Sequence, residues 1–201
     1  AKKKKNRATY ANVMPTIYKY YAATNEKSAH DNYLMTVLRS SGIATIPYVL
    51  GNGIQHYLGD PQDEMLAKIR EQASSRYSNL HMQVEEAVLA AQLDLYYKKA
   101  GDDYMSPYIK ELGDNVEGDF TEYIEKMFNS SIFASEDSIL AFLDNPLQDV
   151  LESDPFYQLS KAILDHYRAQ SDEDKALAEE FQTAYRLMIK GMREANPKQK
   201  Y

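Results

Sequence analysis

The sequence predicts an all-α fold, an irregular multi-helix bundle, on three observations. Apolar residues recur at helical spacing through almost every segment of the 201 residues. No window alternates apolar and polar residues over the length of a half-buried strand, about four to eight positions. Helix-start and helix-stop residues punctuate the periodic stretches: Gly42, Asp60-Pro61, Gly101, Ser135 and Asp154-Pro155.

Taken in order, residues 8–23 carry Val13, Ile17 and Tyr20/Tyr21 on one face, with Pro15 set to bend the helix. "EKSAHDNYLMTVLRSSG" places Tyr33, Leu34, Val37 and Leu38 together and stops at Gly42. "TIPYVLGNGIQHYLGD" keeps helical spacing at Val49, Leu50, Ile54 and Leu58, but Pro47, Gly51 and Gly53 weaken it, so a broken helix is expected. Asp60 is placed to cap the next helix, with Pro61 at its first position, and that helix should reach the upper seventies.

Residues 81–99 are apolar on two faces. Val84, Val88, Ala91 and Leu95 form one; Met82, Leu89, Leu93 and Tyr96 form the other, which predicts a central helix ended by Gly101. A short helix near Pro107 leads to "GDNVEGD". Phe120, Tyr123, Ile124, Met127 and Phe128 then mark an amphipathic helix. Ser135 caps the next, with acids in the first turn where the helix dipole favours them. Asp154 and Pro155 start another that buries Phe156, Leu159, Ile163 and Tyr167. A last helix from about Ser171 carries Leu177, Phe181, Ala184, Tyr185, Met188 and Met192, with Pro197 beyond it.

Totals exclude several functions. The longest apolar stretch, near "GIATIPYVL", is well short of the roughly 20 residues that a bilayer-spanning helix needs, so no membrane span is expected. With no Cys, there is neither a disulfide nor a cysteine nucleophile. Net charge is −7 although residues 2–7 supply five cations, so the remainder is strongly acidic. From Glu111 to Asp154 there are twelve carboxylates and one cation, Lys126, which would repel a phosphate backbone; nucleic acid is not an expected partner. The absence of an initiating Met and of a signal-peptide core makes "AKKKKNRATY" read as an interior stretch of something longer.

No cofactor, metal or catalytic constellation stands out. His30, His56, His81 and His166 have no i, i+4 pairing and no thiol neighbours, so zinc is not indicated. Asp114, Glu117 and Asp119 of "GDNVEGD" lack the alternating oxygens and distal glutamate of a calcium loop. "LGNGIQHYLG" is no phosphate-cradling glycine loop and reads as a flexible joint. A carboxylate pair acting as acid and base is conceivable, but helix starts and polar faces already account for these acids. The 17 tyrosines suit a carbohydrate platform less well than core and rim. In "NSSIFAS", Ser130 and Ser131 invite a nucleophile reading with Asn129 as oxyanion donor, yet no elbow or nearby histidine activates them. The stronger reading is a corner: Asn129 ends one helix, Ile132 and Phe133 tuck inward, and Ser135 starts the next.

Four stretches, "LYYKKAGDDYMSPYIKEL", "YIEKMFNSSIFASEDSILAFLDNP", "VLESDPFYQLSKAI" and "NPKQKY", resemble bacterial dipeptidyl-peptidases of the 7 and 11 type, family forty-six of the serine peptidases. The succession of "SSIFAS" and "LESDPF" is the specific element, and the resemblance covers about half the chain. It implies that residues 1–201 are most of a single α-helical domain inserted into a double β-barrel protease of chymotrypsin type, which removes dipeptides from free peptide N-termini. A Ser-His-Asp triad on the barrel halves would do the chemistry, and none of it maps onto these residues. The implied partners are peptide substrate, the barrel halves of the same chain, and a second copy of the parent. The implied location is the periplasm or surface of a Gram-negative bacterium. The competing reading is a free-standing helical module that binds a protein or glycan.

Overall fold

The computed structural model describes residues 16, 42–103 and 105–195. These form eight α-helices and no strand: α1 Ile46–Gly59, α2 Asp63–Tyr77, α3 Met82–Lys99, α4 Pro107–Asn115, α5 Thr121–Ser130, α6 Glu136–Leu143, α7 Gln148–Ser153 and α8 Pro155–Ala195. The two helices predicted ahead of Gly42 lie outside the described residues, Thr16 apart. The chain divides into two compact units, one of His30–Tyr167 and one of Ala1–Ala29 with Arg168–Tyr201. Helix α8 supplies residues to both.

In the first unit α1 packs on α2 and α7, α2 on α6, and α3 on α4 and α5. Their inward faces merge into one apolar core that includes Ile43, Leu50, Ile54, Leu89, Leu93, Tyr96, Phe120, Ile124, Phe133 and Phe156. The α5 stripe is as its spacing predicts, with Phe120, Ile124, Met127 and Phe128 buried. Ser135 caps α6, its Oγ accepting from the Ser138 amide at 3.1 Å.

Five expectations need correction. Helix α1 is unbroken, because its glycines mark close approach. A Cβ on Gly51 would collide with the Tyr157 ring of α8. Pro47 sits in the first turn, where no amide partner is missed, and buried Ser160 of α8 secures the start. Ser160 Oγ donates to the Ala44 carbonyl at 2.6 Å and accepts from the Tyr48 amide at 3.2 Å.

Helix α2 begins at Asp63 rather than at Pro61, with Gln62 as cap residue. Asp60 instead closes α1, its amide donating to the His56 and Tyr57 carbonyls, and its carboxylate accepts from Gln62 Nε2. In α3 only one of the two apolar faces is in the core: Leu89, Ala90, Leu93 and Tyr96 are buried, while Val84 is 58% exposed and Leu95 38%. Finally, the two helices predicted after Asp154 are one, α8, which continues through Ser171 without a break; no Gly or Pro lies between Pro155 and Gly191 to interrupt it. Tyr167, predicted inward, is 38% exposed.

Candidate functional site

The densest polar cluster among the described residues joins the corner after α5 to the start of α8. Asp154 is buried, and its carboxylate collects four donors. Oδ1 accepts from Ser131 Oγ at 2.9 Å and from the Phe156 and Tyr157 amides at 2.9 and 3.0 Å; Oδ2 accepts from the Ile132 amide at 2.8 Å. The same side chain therefore caps α8 and holds a chain segment more than twenty residues upstream. A carboxylate out of water is tolerated here because charge-assisted hydrogen bonds replace its hydration.

Around this anchor the corner is closed by further bonds. Ser131 Oγ accepts from the Phe133 amide at 3.0 Å, and Tyr77 of α2 donates its hydroxyl to the Phe133 carbonyl at 2.7 Å. Burial, and then the negative charge of Asp154, push the Tyr77 phenol well above its ordinary value of 10.0. The Phe133 ring stacks near Tyr157 with centroids 6.5 Å apart, and Phe128 meets Phe156 at 5.1 Å.

This arrangement cannot run nucleophilic catalysis at Ser131. A serine nucleophile needs a base that takes its proton and a surface that admits a substrate. Here the Ser131 hydroxyl is spent on Asp154 with no imidazole between them, and the residue is buried. Ser130 is exposed and bonds back to the Lys126 and Met127 carbonyls within its own helix. Exposed Asn129 belongs to the last turn of α5, which runs to Ser130. His56 lies on exposed surface of α1 and His81 precedes α3; His30 falls outside the described residues.

The end of α4 and the turn that follows it at 116–118 lie against α3, with Glu117 at φ 52° and Gly118 at φ 80°. Asp114 accepts from the Tyr97 hydroxyl and Asp119 Oδ1 accepts from the Thr121 amide at 3.0 Å. Asp94 Oδ1 takes the Phe120 amide at 2.7 Å. Among the described residues no group of three His, Asp or Glu side chains is placed to hold a metal ion. Several tyrosine hydroxyls are committed inside the fold: Tyr77 as above, Tyr96 to the Ser106 amide at 2.9 Å, and Tyr97 to Asp114. A hollow of about 550 Å³ beside the last turns of α8 is lined by Tyr185, Arg186, Ile189, Lys190, Arg193 and Glu194. Its described lining offers three cations, one carboxylate and apolar surface, without a histidine or a serine among these residues.

The two stretches that Asp154 ties together are the ones that carry the family resemblance, and the family is decided by comparison with known sequences. A family model described as Peptidase S46 matches residues 1–201. The chain belongs to the peptidase S46 family. The S46 chain is 31% identical over 201 residues to dipeptidyl-peptidase 7 of Capnocytophaga gingivalis, an alignment that takes in 97% of this chain and 27% of that protein. It is 27% identical over 133 residues to an Asp/Glu-specific dipeptidyl-peptidase of Porphyromonas gingivalis, covering 65% of this chain and 18% of that one. The chain thus spans about a quarter of the first relative's length.

Among solved structures, Porphyromonas endodontalis DPP11 superposes with a TM-score of 0.67 at 21% identity, over 94% of this S46 chain and 28% of that one. The same protein in complex with the dipeptide Arg-Glu gives 0.66, covering 94% and 27%. Both likenesses are of fold. The helical fold of the S46 chain thus matches a little over a quarter of the DPP11 chain.

Sequence reasoning missed Tyr77, Ser160 and Gly51 as members of these anchors. Asp154 was legible as a cap from "SDPF". Its bond to Ser131 was not, because no local spacing connects the two.

Proposed function

We propose that this chain is the helical cap of a serine-type dipeptidyl-peptidase, inserted between the barrel halves that carry its catalytic Ser, His and Asp. The family match over residues 1–201, in a chain about a quarter as long as its relative, carries this reading. The cap's part is geometric: it narrows the open end of a peptide cleft so that a chain enters by its N-terminus, and it keeps water from the tetrahedral intermediate. An anchored corner such as that around Asp154 suits the task, since a loose cap would admit longer stretches of peptide. We place the parent, a homodimer, in the periplasm or at the surface of a Gram-negative bacterium.

The acidic run from Glu111 to Asp154 would then face incoming peptides with a negative field that draws ammonium termini and basic residues. In the full enzyme, neutralising Glu111, Glu117, Glu122 and Glu125 together should lower kcat/KM for a basic peptide several-fold and flatten its dependence on salt. Unchanged kcat/KM and salt dependence would remove the steering role.

A further inference from the structure

We propose that a basic ridge on the last turns of α8 binds acidic peptides, taking carboxylate side chains from alternate positions of an extended chain. The ridge is Arg186, Lys190 and Arg193, at i, i+4 and i+7. Helical geometry brings the three within about 60° of one another around the axis. All three are exposed and line the hollow of about 550 Å³, a volume in the range that ligand sites occupy. Tyr185 and Ile189 flank the ridge on one side, so the same hollow joins charge to apolar surface.

Two ordinary explanations of such a ridge fall short. Cations near a helix C-terminus complement the dipole, but that effect fades within the last turn. Helix α8 ends at Ala195, which leaves Arg193 within reach and Arg186 and Lys190 outside it. Exposed cations also pair with acids one turn away on their own helix. Three and four residues from Arg186 stand Gln182, Thr183, Ile189 and Lys190, none of them acidic. The one acid so spaced from the ridge is Glu194, which follows Lys190 in the less favourable order, acid after base. Among the described residues no ion pair involves Arg186 or Lys190. The three cations instead repel one another at i, i+4 and i, i+3, and a bound anion reverses the sign of that interaction.

Spacing and charge select the ligand. Arg186 and Lys190 are about 6 Å apart along the helix, and alternate side chains of an extended peptide follow one another at about 6.6–6.8 Å on one face. Glutamate or aspartate at two such positions meets both cations, and the Arg186 guanidinium takes its carboxylate through two parallel hydrogen bonds. Tyr185 and Ile189 receive an apolar side chain beside the acids. A polyanion fits worse. Glu194 belongs to the same lining and the chain carries a net charge of −7, so a dense row of phosphates is repelled on approach. The inference requires only that peptides reach α8 and does not rest on the cap role.

The test is peptide binding by the full-length parent enzyme, read by fluorescence anisotropy. The probe is a fluorescent Glu-Ala-Glu-Ala-Phe peptide, N-acetylated and C-amidated. Its Kd should rise at least tenfold in Arg186→Glu/Lys190→Glu and change less than twofold in Arg76→Glu/Lys161→Glu, a charge-matched pair at exposed cations elsewhere. The Gln-Ala-Gln-Ala-Phe analogue should bind the unaltered enzyme at least tenfold more weakly. Equal weakening by the two double variants, equal affinity for the two peptides, or no measurable binding would overturn the site. So would a single-stranded oligonucleotide that binds more tightly than the peptide and is lost in Arg186→Glu/Lys190→Glu, since the ridge would then serve a polyanion. A second readout needs no variant to fold. With a photoreactive diazirine residue in place of the peptide's Phe, irradiation of the unaltered enzyme should label residues 185–194, located by mass spectrometry. Label confined to other parts of the chain would overturn the proposal.

Discussion

Asp154 carries more of this fold than any other polar side chain described. Removing its carboxylate strands the Phe156, Tyr157 and Ile132 amides and the Ser131 hydroxyl in a buried setting. Asp154→Ala should therefore cost at least about 3 kcal/mol, and Phe133→Ala, which empties the fully buried side of the same corner, about 3–5 kcal/mol. Urea titration of the 201-residue chain checks both; a loss under about 1 kcal/mol for either would mean that the corner is not anchored. Tyr77 gives a pH signature. Its phenol titrates higher in the folded than in the unfolded chain, so the stabilisation from keeping it neutral is complete below pH 10.0 and declines as pH rises past that unfolded value. Melting curves between pH 9 and about 11 should show a shallower alkaline loss for Tyr77→Phe than for the unaltered chain.

At the scale of elements, period and cap residues were legible where a helix depends on its own neighbourhood. The α5 stripe and the Ser135 cap needed no distant partner to be recognised. Helix α1 did, because Gly51 owes its place to Tyr157 of α8, and the start that puts Pro47 in the first turn is held by Ser160 through the Ala44 carbonyl and the Tyr48 amide. From sequence alone both residues point to a break, since the ring that explains the glycine is a hundred positions away. Gly51→Ala should destabilise by about 1–3 kcal/mol through overpacking, despite alanine's better helix propensity. Tyr157→Leu in the same background should recover part of that loss. A neutral or stabilising Gly51→Ala, read by thermal melting, would place the ring elsewhere. The exposed side of α3 was misread for a similar reason: an apolar face at helical spacing does not say by itself whether the core reaches it.

For the molecule as a whole, the all-α class and the family were readable from 201 residues, while the part played by Ser131 could be argued only by elimination. Coordinates add a positive reason: the hydroxyl in the most family-specific stretch, that of Ser131, is bonded to a buried carboxylate. That hydroxyl holds the corner, which is the division of labour the proposed cap role requires. The division of labour is tested most directly by assaying dipeptide release from an unblocked oligopeptide with the purified 201-residue chain beside its full-length parent. The account predicts steady release by the parent and none by the 201 residues. Dipeptide production by the isolated chain, abolished by Ser131→Ala or Ser130→Ala, would contradict it.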